Sequence, residues 1–340
     1  MKPGKLPNDA LREMLARLPG GDPRVIVGPG VGEDAAVIEW GDRLLVAKTD
    51  PITFASDLIG WYAVHVNAND IAVMGGEPRW FMATLLLPQG LNEKDVCQIA
   101  DQIAEAARGL GVTVVGGHTE ITLGLDRPIV VGCMLGETTR ERLVASAGAS
   151  PGDALILGGY AAIEGTALLA REAEKMLLAR GVGNDALAEA RGVLLSPGIS
   201  VVAAARAALE AGGVTAMHDP TEGGLATGLR ELAIASGVGF EVREEEIPVL
   251  PVSARICEAL SLDLLGVISS GALLAAVRPE AAARIVSAMA AAGSIARVIG
   301  VVTPPEAGLW LRRGRRRSPL PEFARDEVAR FFEREDTGLP

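Results

Sequence analysis

Apolar residues along the chain fall into two rhythms. A period near 3.6 marks residues 8–18, where Leu11, Met14, Leu15 and Leu18 share one helix face. Short apolar runs parted by glycine-rich turns mark "VIV" (25–27), "AAVIE" (35–39) and "LLVAK" (44–48), which read as strands. Residues 56–76, "SDLIGWYAVHVNANDIAVMGG", are apolar nearly all round. They predict a buried helix, capped by Ser56 or Asp57 and stopped by Gly75-Gly76. "WFMATLLLP" (80–88) reads as a strand and residues 93–111 as an amphipathic helix with a glycine stop. "VTVVGG" (112–117) and "PIVVGCMLGE" (128–137) are further strands.

The small, polar stretch "SAGASPGDA" (146–154) is the best linker candidate, and the pattern restarts after it. "ALILGG" reads as a strand, followed by helical regions over about 163–180 and 197–211. Then come "VTAMHD" as a strand, "EGGLATGLRELAIASG" as a helix and "GFEV" as a strand. "ALLAAV" (272–277) as a strand, "EAAARIVSAMAAAG" as a helix and "ARVIGVV" as a strand follow. Both halves mix strands and helices, so the class is α+β or mixed α/β. Four segments follow: an N-terminal helical extension (1–21), a first domain (22–148), a second domain (149–305) and a tail (306–340) whose "PEFARDEVARFFERED" predicts a short amphipathic helix.

Composition narrows the picture. At 340 residues the chain is too long for one ordinary core. A net charge of −11 speaks against nucleic acid as a partner. The basic "RRGRRR" is read as a solvated strand end or hairpin rather than a nucleic-acid patch. Cys97, Cys133 and Cys257 are far apart, form no CxxC pair, and suggest buried thiols in a reducing compartment. No apolar run reaches a membrane span and no secretory leader is evident, so a cytoplasmic location is expected.

The chemistry that is missing is informative. There is no P-loop, no GxGxxG at the right spacing, no GxSxG and no HExxH. His65, His118 and His218 are not at metal-ligand spacing, which disfavours zinc. Acids remain. Glu33 and Asp34 follow a glycine turn, Thr49 and Asp50 end a strand, and Glu120 follows "VVGGHT". Asn67 and Asp70 share a face of the buried helix, where a carboxylate costs several kcal/mol unless satisfied. Four segments thus deliver hard oxygen ligands of the kind Mg²⁺ takes. Gly116-Gly117 lets a backbone approach a phosphate. In the second half, "HDPTEGGL" (218–225) is equally an anion nest, with Thr221 and Gly223-Gly224, or a plain turn capped by Asp219 or Thr221.

"GEDAAVI", "KTDPI", "NANDIAVMGGEPRW", "GGHTEI", "EGTALLA", "HDPTEGGLATGLRELA", "ISSGALLAAV" and "IGVV" stand in this order over about residues 22–303. Together they resemble the AIR synthase (PurM-like) superfamily, nearest its hydrogenase expression/formation (carbamoyl dehydratase) branch. The resemblance implies a homodimer whose N-terminal sheets pair into a barrel, with ATP near the interface. By position it makes Asp34, Asp50 and Asp70, joined by Glu33, ligands of Mg²⁺. It places Thr49, Asn67, Gly116, Gly117, His118, Thr119 and Glu120 along the phosphates. It turns Asp219, Thr221, Gly223 and Gly224 toward a small-molecule or protein-bound acceptor. The chain departs from that branch in having Glu222 where Arg is usual, and "FFEREDTGLP" where the branch carries a terminal cysteine. It has His118 where thiamine-monophosphate kinase carries Asp. The implied function is ATP-dependent activation or phosphorylation of an oxygen on an unidentified acceptor. The alternative is a non-catalytic nucleotide-binding partner in metallocofactor maturation.

Overall fold

The computed structural model describes residues 5–53, 55 and 57–337, without the side chains of 334–337. Ser56, one expected cap, lies outside them. The chain divides into two compact units, residues 21–29 with 34–143, and residues 5–20 with 30–33 and 144–337.

The elements run α1 (Asn8–Leu15), β1 (Val25–Val27), β2 (Ala36–Trp40), β3 (Arg43–Ile52), α2 (Ile59–Val73), β4 (Glu77–Pro88), α3 (Glu93–Leu110), β5 (Thr113–Thr122) and β6 (Ile129–Thr138). All but α1 form the first unit. Its sheet has the order β1-β2-β3-β6-β4-β5, with β5 at an edge and parallel to β4. On β6 every second residue from Val130 to Thr138 is buried, the alternation of a sheet covered on one face. The covering element is α2. It is apolar all round because the sheet takes one side and α3 the other. Its N-cap is Leu58, which has a left-handed backbone and makes no side-chain cap bond, and the Gln102 side chain of α3 accepts the Gly60 N–H at 3.1 Å. Its end is the expected glycine stop, with the Gly76 N–H on the Ile71 carbonyl at 3.0 Å.

The second unit adds β7 (Ala154–Gly158), α4 (Ile163–Glu172), α5 (Glu174–Ala179), α6 (Asn184–Gly192), α7 (Val202–Ala211), β8 (Val214–His218), α8 (Gly224–Ser236) and β9 (Gly239–Arg243). It continues with α9 (Pro251–Leu260), β10 (Leu273–Val277), α10 (Ala282–Ala291), β11 (Ala296–Thr303), β12 (Leu309–Arg313), β13 (Arg316–Pro319) and α11 (Glu327–Thr337). Its sheet order is β13-β12-β9-β11-β7-β10-β8. Leu225, Leu229 and Leu232 of α8 join Leu155, Leu157, Phe240 and Leu274 in one core.

Several expectations are corrected. The stretch 146–154 packs as part of the second unit: Ser146 is buried and its Oγ donates to the Met217 carbonyl at 3.3 Å. Small side chains there permit close packing rather than a free linker. Ala173 breaks the 163–180 region into α4 and α5. The helix expected from 197 starts at Val202. Residues 184–211 are apolar enough to span a membrane by length and composition (mean hydropathy 1.6), but Ser196, with non-helical backbone angles, and Pro197 interrupt them. Helices α6 and α9 were not anticipated, although Val252, Ile256 and Leu260 of α9 recur four apart on its buried face. The face of α1 expected to pack leaves Met14 and Leu18 exposed. Cys97 is exposed and Cys133 only half-buried, and Cys257 alone is the expected buried thiol. The "RRGRRR" segment is the β12–β13 hairpin. There Arg313 pairs with Glu244, and Arg317 lies between Glu241 and the face of Trp310, 4.2 Å from the ring centre.

Candidate functional site

Strand geometry builds the first cluster. β3 runs on to Ile52, so Thr49 and Asp50 lie within the strand rather than at its end, paired with Cys133 and Gly132. Lys48 and Asp50 are two apart and share the face covered by α2. From α2 come Asn67 and Asp70, three apart and both buried. The Lys48 ammonium lies 3.0 Å from Asp70 Oδ1 and 3.8 Å from Asp50 Oδ2. Asp34 is buried as well, and its charge acts on both Lys48 and Asp70. Asn67 donates to the carbonyls of Ala63 (2.8 Å) and Asp50 (3.3 Å), and Thr49 Oγ1 donates to the Gly132 carbonyl (2.8 Å). Lys48 is the member that sequence reasoning missed.

The cluster is short of positive charge. Burial pushes the Asp70 carboxyl up to about 7, with Asp50 and Asp34 adding to the effect and Lys48 opposing it. Burial would lower the Lys48 ammonium, but Asp70, Asp50 and Asp34 together raise it above its usual value. Both partners of one ion pair move up because a single ammonium serves three carboxylates. Asp70 Oδ2 and the Asn67 amide oxygen are buried and meet no hydrogen-bond donor among the described residues. Buried acceptors of this kind are normally satisfied. Three carboxylates and an amide oxygen are a hard donor set, and a small divalent cation fits them.

The "GGHTE" residues do not join this cluster within the chain. They lie inside edge strand β5 rather than at a strand end. Sheet register aligns Asp50, Gly132, Ala83 and Gly117 in one row. Gly117 is therefore three strand spacings from Asp50, roughly 14 Å. His118 and Glu120 project from the opposite face; the His118 Nε2 and Glu120 Oε2 atoms are 3.4 Å apart. Gly117 is a glycine for a structural reason, since a Cβ would fall 2.1 Å from the Ala83 carbonyl. Gly116 faces open space and Thr119 is exposed.

In the second unit the 218–224 turn is built by its glycines. Gly223 (φ 82°) and Gly224 (φ 68°) are both left-handed, and a Cβ on Gly224 would fall 2.5 Å from the Leu265 carbonyl. Gly223, not Asp219 or Thr221, is the N-cap of α8 and has no side-chain cap of its own. Its N–H donates to Asp326 of the tail at 2.7 Å. Asp219 is buried, and the Thr221 carbonyl accepts from Gly224 and Ser269. Next to the turn, His218 Nε2 and Glu231 Oε2 are 3.2 Å apart, and Lys5 reaches Glu231 Oε1 at 3.2 Å. Burial alone would raise the Glu231 carboxyl; the Lys5 charge and the His218 hydrogen bond bring it down to about 2. Glu33 falls in the short 30–33 stretch that groups with this unit. Lys5, Glu231 and Asp326 were not anticipated.

Fold and motif order together define a class: the chain belongs to the AIR synthase related family. Residues 32–138 match the family's N-terminal domain and residues 150–309 its C-terminal domain. Among its relatives is a putative hydrogenase expression/formation protein of Methanocaldococcus jannaschii, 31% identical over 312 residues that cover 87% of this chain and 88% of that one. The carbamoyl dehydratase HypE of Cupriavidus necator is 33% identical over 282 residues, covering 80% and 77%. The fold is shared with a hydrogenase maturation protein HypE crystallised in complex with ATP, at a TM-score of 0.72 and 23% identity, covering 94% of this chain and 91% of that one.

Proposed function

We propose that the chain is an ATP- and Mg²⁺-dependent enzyme that activates or phosphorylates an oxygen of an acceptor. The observation that carries this reading is the charge deficit of the Lys48 cluster. Asp34, Asp50 and Asp70, with the amide oxygen of Asn67, would hold Mg²⁺, which supplies charge neutralisation on a transferred phosphoryl group. Lys48 keeps the three carboxylates together against their mutual repulsion. The binding of ATP by a HypE of the same fold supports the nucleotide.

The same reading takes the chain as a homodimer. On the sheet face away from α2, Leu45, Met82, Leu86, Val131 and Leu135 remain partly exposed. Val114, Val115 and Ile121 on β5 are exposed, although an unpaired edge strand is ordinarily protected. A second sheet would cover both. It would also give the "GGHTE" residues, roughly 14 Å from Asp50 within one chain, a site to complete across the interface.

Thermal unfolding tests the reading. Mg²⁺-ATP at a hundredfold excess over Kd adds about 2.7 kcal/mol to the native state and raises the midpoint. ATP with a chelator, and Asp70→Asn with Mg²⁺-ATP, are expected to lose the shift. No shift in the wild type at millimolar Mg²⁺-ATP ends the reading. A shift without turnover on any acceptor favours a nucleotide-binding maturation partner instead.

A further inference from the structure

After β13 the chain turns back onto α8. Arg230 of α8 donates to the carbonyls of Leu320 (2.5 Å) and Pro321 (3.3 Å). The Phe323 ring lies so close over Gly266 that a Cβ there would come within 2.7 Å of it. Glu327 accepts the Asp263 N–H at 3.1 Å. One oxygen of Asp326 caps the tail's own helix through the Val328 N–H (2.8 Å), and the other accepts the Gly223 N–H (2.7 Å).

That second contact places an anion on the N-cap N–H of α8. Helix N-termini leave such donors unsatisfied and carry partial positive charge, so they favour anions. An internal carboxylate is an expensive way to satisfy this one. Asp326 is buried, and its neighbours Glu222 and Glu327 are acids. Burial, more than the two N–H donors can offset, pushes its carboxyl up to about 7. A neutral acceptor in place of Asp326, such as asparagine, would satisfy the N–H without burying a charge. The contact is thus both specific and weakly favoured, as a displaceable group must be. It also borders a cavity of about 500 Å³, walled by Gly223, Thr227, Phe323 and Asp326 and by Pro7 and Arg12 of the N-terminal segment. That volume suits a small molecule.

We infer that residues 321–333 are a built-in latch: Asp326 occupies the Gly223 N–H that an anionic group of the acceptor takes, and the acceptor enters the adjoining cavity by displacing it. This rests on the reading that the 218–224 turn faces the acceptor. The acceptor class it names is a compact anion such as a carboxylate, carbamate or phosphate. A latch closed nine-tenths of the time weakens apparent affinity about tenfold.

Inorganic phosphate is the probe, on the full chain as wild type, Asp326→Ala and the conservative Asp326→Asn. Amide exchange of the peptide containing Gly223 and trypsin cleavage after Arg325 and Arg330 are followed. In the wild type, phosphate is expected to speed cleavage of the tail while the Gly223 peptide stays protected. Asp326→Ala is expected to expose the tail without phosphate and to bind phosphate about tenfold more tightly, with Asp326→Asn between the two. Equal phosphate affinity in wild type and both variants, or no cleavage response to phosphate in the wild type, overturns the latch and makes the tail purely structural. The Mg²⁺-ATP shift measured on the same proteins separates the two readings. Its presence with no phosphate competition sinks the latch alone, and its absence with competition intact sinks the nucleotide reading alone.

Discussion

Each unit buries a carboxylate beside a lysine, yet the two are charged to opposite degrees. Glu231 is offset by Lys5 and His218 and is held down to about 2. Asp70 shares Lys48 with Asp50 and Asp34 and is pushed up to about 7. Local burial is comparable, so the ratio of cations to acids decides the outcome. The first arrangement is complete as it stands and serves to pin the N-terminal segment to α8. The second sets one ammonium against three carboxylates, the excess of negative charge on which the proposed Mg²⁺ site rests.

Removing Lys48 breaks the comparison most severely. Lys48→Met leaves three acids facing one another in a buried site, and uncompensated buried charge costs about 3–5 kcal/mol. Denaturant unfolding should show that loss in chelator, with much of it restored by millimolar Mg²⁺. A loss that Mg²⁺ leaves unchanged would mean that the acids do not bind it.

Next in size is the effect of pH, because the two acids respond in opposite directions. A folded carboxyl held above its usual value binds its proton more tightly than the unfolded chain does. The Asp70 contribution is therefore complete below about 4 and is lost as pH rises through about 7. Glu231, held below its usual value, contributes fully above about 4.5 and loses that contribution as pH falls toward 2. Asp326 follows the direction of Asp70, and His65, lowered to about 4 by burial, opposes it between about 4 and 6.5. Difference curves isolate each acid. In chelator, wild type minus Asp70→Asn should fall by up to about 1.4 kcal/mol per pH unit between about 4 and 7. Wild type minus Glu231→Gln should rise between about 2 and 4.5. Mg²⁺ should flatten the first curve and leave the second alone.

How far the sequence reached follows the same division. Motif order and helix period made the fold legible and singled out Asp34, Asp50, Asn67 and Asp70, with helix spacing putting Asn67 and Asp70 on one face and Asp50 read at a strand end rather than inside β3. The cations were not legible. Lys48 looked like an ordinary strand residue, since nothing local marks a lysine as turned inward under a helix. Lys5 and Asp326 act on residues 226 and 103 positions away, pairings that no spacing rule detects. The "GGHTE" segment was legible as a motif, but its distance from Asp50 depends on the strand order β3-β6-β4-β5, which only topology supplies.

A charge on β5 tests the dimer that this distance calls for. Val115 is half exposed on an edge strand, so Val115→Lys should cost the monomer little. If two sheets pair there, light scattering should show the mass falling from dimer to monomer, and the Mg²⁺-ATP shift should weaken with it. An unchanged dimer would place the interface elsewhere.

The smallest expected effect belongs to Lys5. Its side chain is 46% exposed, so water already screens most of its attraction for Glu231. Lys5→Met should cost under about 1 kcal/mol, in contrast to Lys48→Met. The informative readout is local: amide exchange should rise across α1 while the Lys48 cluster and its Mg²⁺ response stay as they were. If Lys5→Met instead cost as much as Lys48→Met, Glu231 would be as poorly compensated as Asp70. The contrast between a well-compensated carboxylate and a poorly compensated one would then have to be given up.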